Sequence, residues 1–167
     1  KIMETLQITK DDAIKAHGKA TKKGKKLLEN LFGKKTFYND VTERIKTIED
    51  ILKDNNTCQA DIDVKFALLP EHLKYQYIIE LLCKSLNEGW VADFEYIGDH
   101  KYFPAFKMNH SGFCIDGCMF WKNIIHSNIR LCLKSQKLAK YAGEQFIDLY
   151  RKMITKEVIG DDKVITS

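Results

Sequence analysis

Between Pro70 and Gly89 apolar residues return at helical spacing, and beyond Gly89 that spacing ends. Leu73, Tyr77 and Leu81 stand four apart, and Ile78, Leu82 and Leu86 widen the stripe into one broad apolar face. Proline is tolerated in a first helical turn, Glu71 suits the positive end of the helix dipole, and Gly89 supplies a stop. The pattern predicts a helix over about 71–88 at the centre of the core. Residues 90–134 have a different character. Trp90, Phe94, Tyr96, Tyr102, Phe103, Phe106, Phe113, Phe120 and Trp121 crowd this stretch. Turn formers punctuate it at Gly98-Asp99, Asn109-His110-Ser111-Gly112 and Asp116-Gly117. Such a run predicts short antiparallel strands near 102–108, 112–115, 118–122 and 129–133. Pro104 marks the first as an edge or bulged strand. Asp116-Gly117, between Cys114-Ile115 and Cys118-Met119, reads as a tight turn. The fold class that follows is α+β, with helices packed on a small antiparallel sheet formed by roughly residues 101–134.

Helical patterns flank this centre. Ile14, His17, Thr21, Gly24, Leu28 and Leu31 recur three and four apart, Thr9 with Asp12 offers a cap, and Gly33 a stop, which predicts a helix over about 10–32. Gly18 and Gly24 mark it for a bend, a close contact or a break into two. Thr47 with Asp50 caps a short helix at 47–54, and residues 55–63 read as a polar loop. Ser135 caps a last helix over about 136–154, built on Leu138, Ala142, Phe146, Leu149, Tyr150 and Met153, with Gly143 as an interior flaw. A chain of 167 residues fits a single domain, in which 9–33 forms a basic amphipathic N-terminal helix that is semi-independent. No apolar run approaches the roughly 18 residues needed to span a bilayer, and no secretory signal is visible.

The net charge of +4 is unevenly placed. Residues 1–35 hold ten Lys against four acidic groups, and the remainder of the chain is slightly acidic. Lys15, Lys19, Lys22, Lys23, Lys25 and Lys26 cover the polar faces of the first helical pattern. The ordinary reading of such a run is a solvated helix face; the functional one is a surface for a polyanion. No Arg precedes Arg44, so bidentate reading of guanine is not available here. Lysines used in this way contact phosphate, without sequence preference and with strong salt dependence. In the aromatic half, Tyr102, Phe103, Lys107 and Trp121 interleave rings with positive charge, the composition of an interaction or base-stacking face. Core packing is the ordinary role of such rings.

Chemistry-bearing groups are sparse. Five cysteines without a secretory signal predict free thiols, with Cys83 and Cys132 as small core hydrophobes. His110, Cys114, Cys118 and His126 have the residue types of a tetrahedral zinc site, at a spacing looser than that of zinc knuckles. Two thiols across a hairpin turn would converge, and the histidines would close the site from flanking loops. Zinc is the only cofactor these residues suggest, and ordinary sheet residues are the expectation. Asp93, Glu95 and Asp99 are the only acidic cluster to weigh for a metal-dependent nuclease. No phosphate-binding glycine loop and no nucleophile elbow occurs.

Several stretches carry a resemblance. They are Leu28-Glu29-Asn30-Leu31-Phe32-Gly33-Lys34, Arg44-Ile45-Lys46-Thr47-Ile48-Glu49-Asp50, Leu86-Asn87-Glu88-Gly89-Trp90 and Lys101-Tyr102-Phe103-Pro104-Ala105-Phe106. Ser111-Gly112-Phe113 and the run from Arg130 through Ser135 into Leu138–Phe146 extend it over most of residues 5–154, in order. In these the chain resembles uncharacterised small proteins encoded by phages and prophages of gut Bacteroidetes. The match departs from the family at Asn109-His110 and between Cys114 and Cys118. The resemblance implies a phage or mobile-element origin and a setting in the host bacterial cytoplasm or a virion. It brings no activity, cofactor or catalytic residue with it.

The expected function is therefore that of a phage- or prophage-encoded accessory protein, a non-enzymatic binding module for a protein partner or nucleic acid, with no membrane partner. A small metal-dependent nuclease and a minor virion component are the alternatives.

Overall fold

A computed structural model describes residues 7–93, 95, 98–122 and 129–155. The fold is α+β: eight α-helices and one two-stranded antiparallel sheet among the described residues. The chain divides into two compact units, residues 1–44 and 45–167. No helix among the described residues is long and apolar enough to cross a membrane.

The first unit carries α1 (Lys10–Lys19), α2 (Lys22–Phe32), a single 3-10 turn at Lys34–Thr36 and the short α3 (Val41–Arg44). Thr9 caps α1 as its spacing from Asp12 predicts, accepting from the Asp12 amide at 3.2 Å. The single helix expected over 10–32 is two helices, and the break falls at neither glycine. Ala20 is extended, and Thr21 starts a new helix by accepting from the Gly24 amide at 3.3 Å. A threonine that can cap competes with helix continuation, and here it wins.

In the second unit α4 (Ile48–Asp54) opens with the Thr47–Asp50 capping box that its sequence predicts. The loop expected at 55–63 is partly helical: α5 (Gln59–Phe66) begins at Cys58, whose amide is held by Asp61 at 3.0 Å. The central helix α6 (Glu71–Asn87) matches its pattern, and its left-handed stop falls at Glu88 followed by Gly89. Ile78, Ile79, Leu82 and Leu86 of α6 are buried against α4 and α8. The last helix is two, α7 (Gln136–Gln145) and α8 (Ile147–Ile154), joined at the non-helical Phe146.

The sheet is a hairpin of β1 (Lys101–Asn109) and β2 (Gly112–Trp121). Its turn is His110-Ser111. Asp116-Gly117 is not a turn but a bulge inside β2, where the register shifts between Ala105 and Phe106 and Gly117 takes φ 130°. Two expected strands are thus one. The fourth expected strand is a 3-10 turn at Ile129–Leu131 followed by a single bridge, in which Tyr102 and Leu133 exchange backbone bonds of 3.0 and 2.9 Å. One face of the hairpin carries Tyr102, Pro104, Phe106, Phe113, Ile115 and Cys118, and it packs on α7 and α8: Phe106 meets Tyr150 with ring centroids 4.9 Å apart. The other face carries Phe103, Lys107, Cys114, Asp116, Met119 and Trp121.

Candidate nucleic-acid interface

Three aromatic groups and one carboxylate fix the geometry of the first unit. His17 is buried in α1 and its Nε2 lies 2.9 Å from Glu29 Oε1 on α2. Tyr38 donates its hydroxyl to the same oxygen at 2.8 Å. The His17 ring stacks on Phe37 with centroids 4.3 Å apart. Burial by itself raises the pKa of Glu29, but the bonds from His17 and Tyr38, with Lys34 nearby, outweigh it and hold the carboxyl below its ordinary value. The bond to Glu29, with some burial, pushes Tyr38 up to about 12. This cluster locks α1, α2 and the segment after them together. The sequence pattern put His17 on the apolar face but offered no sign of its partners, which lie 12 residues away in one case.

The lock turns the lysines outward. Lys15, Lys19, Lys22, Lys23 and Lys26 are exposed, and Lys25 is half-buried. None of the six has an acidic partner among the described residues. Lys15 and Lys19, and likewise Lys22 and Lys26, are four apart and share a helix side. The first turn of α2 contains no acidic residue, so Lys22 and Lys23 stand at the positive end of the helix dipole. Leu27 and Leu31 are also exposed, at 60% and 67%. Sequence spacing placed Leu31 and Ile14 on a buried face. Both are exposed: the break at Thr21 resets the helical phase ahead of Leu31, and within α1, before the break, the buried positions are Ala13 and His17 rather than Ile14.

The aromatic face expected from the sequence is split. Phe103, Lys107 and Trp121 share one side of the hairpin, and Tyr102 is on the other, against Phe120 and His100. Lys107 is paired with Asp116 at 2.6 Å. Lys101, the residue before Tyr102, is buried and donates to the Asp99 carbonyl at 3.0 Å.

The cysteine pair is also split. Cys114 stands opposite Lys107 and Cys118 opposite Pro104, on opposite faces of the ribbon, because the extra residue of the bulge reverses the alternation between them. His110 is exposed in the hairpin turn, and His126 lies outside the described residues. Among the described residues no three His, Cys, Asp or Glu gather as a metal-holding group. Asp93 accepts from the Glu95 amide at 2.8 Å, a local turn bond. Cys83 and Cys132 are buried as expected, and burial raises both thiols above the ordinary value. An open cavity of about 340 Å³ in the second unit runs along α6, between Tyr77, Glu80 and Lys84 and the residues Trp90, Arg130 and Cys132.

No protein-family model, curated protein or solved structure matches the chain.

Proposed function

We propose that this chain is a non-enzymatic accessory protein that binds nucleic acid through the α1–α2 element, in the phage setting that its sequence resemblance implies. The observation that carries this reading is the set of six lysines around the α1–α2 junction with no acidic partner among the described residues. Lysines at the start of α2 oppose the helix dipole, and each such placement costs about 0.3–1 kcal/mol. A bound phosphate reverses the sign of that term, because it sits favourably both at the helix start and beside the ammonium groups. With no arginine in the element, contact is to the backbone rather than to base edges.

Fluorescence anisotropy with labelled nucleic acid tests this. Four phosphate contacts make affinity fall about 50- to 150-fold between roughly 50 and 200 mM salt. Replacing Lys22, Lys23, Lys25 and Lys26 with Gln removes most of the binding and flattens the salt response. A salt-independent affinity in the unaltered protein overturns the reading.

Leu27 and Leu31 favour a second reading, a protein partner that sets acidic groups around an apolar strip. They expose apolar surface beside Lys23 on the same helix. Under that reading Leu27→Ser with Leu31→Ser abolishes partner binding. Under the first reading the same pair leaves nucleic-acid affinity unchanged.

A further inference from the structure

The α1–α2 pair folds back on itself, so the start of α1 meets the end of α2 and the 3-10 turn after it. There a groove of about 500 Å³ opens, lined by Thr9, Lys10, Ala13, Phe32, Lys35 and Thr36. Its polar chemistry is narrow. The Thr9 hydroxyl donates to Asp12 at 2.6 Å, and the Thr36 hydroxyl donates to the Phe32 carbonyl at 2.7 Å. The donors left over among the lining side chains are the ammonium groups of Lys10, from α1, and Lys35, from the 3-10 turn, neither with an acidic partner among the described residues. Its apolar lining is Ala13 and Phe32, which is 37% exposed. Phe37 meets the Phe32 ring nearly perpendicularly at 6.5 Å and is itself stacked on His17.

We infer that this groove binds one nucleotide of a single-stranded polynucleotide, with the base seated on Phe32 and the flanking phosphates on Lys10 and Lys35. A flat apolar body between two anionic groups is the chemistry of a nucleotide unit. A duplex buries its base faces and cannot present one to the ring. The inference rests on the reading of α1–α2 as a polyanion-binding element and specifies its ligand. The eleven residues from Lys22 to Phe32 span about 15 Å, so one strand passes from the lysine-rich junction to the groove within a few nucleotides.

The test uses the full chain, a labelled oligothymidylate of about twenty nucleotides and a duplex of the same length, with polyglutamate as competitor. The single strand is expected to bind more tightly than the duplex. Phe32→Leu keeps an apolar side chain and removes the stacking platform. It is expected to weaken single-strand binding about tenfold and to leave duplex binding and the melting temperature unchanged. Lys10→Gln with Lys35→Gln, both at the surface, is expected to lower the single-strand salt slope by about 1.4. That variant keeps the test open should Phe32→Leu fold poorly. If the Lys22–Lys26 substitutions abolish binding while Phe32 and the Lys10–Lys35 pair make no difference, the groove inference is overturned and the polyanion reading stands. Equal displacement by polyglutamate also overturns it, in favour of an acidic peptide. If neither nucleic acid binds in a salt-dependent way, both readings fall.

Discussion

Gly143 lies where α7 crosses the hairpin. A Cβ there would come within 2.6 Å of Ile115 Cδ1 and 2.9 Å of Pro104 Cβ. The isoleucine methyl can swing away, but the proline ring has no such freedom. An alanine would improve helix propensity by about 1 kcal/mol, yet it would force α7 off the sheet. Gly143→Ala is expected to destabilise the protein by about 1–2 kcal/mol net, read as a lower urea midpoint. A neutral or stabilising result would mean that α7 does not need this close approach. Lys101 makes a related point at the same scale. In sequence it stands beside Tyr102 and Phe103 in the aromatic run, but its position at the start of β1 buries it, and its ammonium group is held by the Asp99 carbonyl. Residue type predicted its chemistry and not its surroundings.

At the scale of elements, side-chain caps and bulges decide where patterns end. Thr21 divides one helical pattern into two helices, and the two-versus-one pairing at Asp116-Gly117 joins two expected strands into one. Asn87, near the end of α6, ties that helix to the segment before α7. Its amide donates to the Cys132 carbonyl and its oxygen accepts from the Lys134 amide, both at 2.9 Å. Asn87→Ala leaves both backbone groups without these bonds and is expected to cost roughly 2–4 kcal/mol in chemical denaturation. In the first unit, the Tyr38–Glu29 bond couples packing to pH. Tyr38 is raised from 10.0 to about 12 in the folded chain, so its stabilising effect is complete below pH 10.0 and is lost as pH climbs towards about 12. Glu29 is lowered below 4.5, so its effect is complete above pH 4.5 and fades as pH falls beneath that. Tyr38→Phe is expected to weaken the protein at neutral pH and to remove part of the alkaline loss. Urea titrations of both proteins across the range from pH 10.0 to about 12 check this.

For the whole molecule, the charge asymmetry read from the chain coincides with a structural division. The lysine-rich stretch lies inside the compact unit of residues 1–44, and the aromatic hairpin and the long α6 lie in the unit of residues 45–167. The salt dependence expected of nucleic-acid binding therefore belongs to the first unit. The corresponding Lys→Gln variants are expected to leave the folding of the second unit untouched, as near-ultraviolet circular dichroism of Trp90 and Trp121 would show.

Local pattern and composition determined α6, the caps at Thr9, Thr47 and Ser135, the α+β class and the cationic front of the chain. These depend on residues within a turn or two of one another, where spacing and local hydrogen bonding carry the information. Tertiary structure decided which side of α2 meets solvent, that Cys114 and Cys118 point apart, and that Lys10, Phe32 and Lys35 share a groove. The physical reason is the same in each case. One capped break or one extra strand residue changes the phase of everything after it, and residues more than twenty positions apart become neighbours only when the chain folds back.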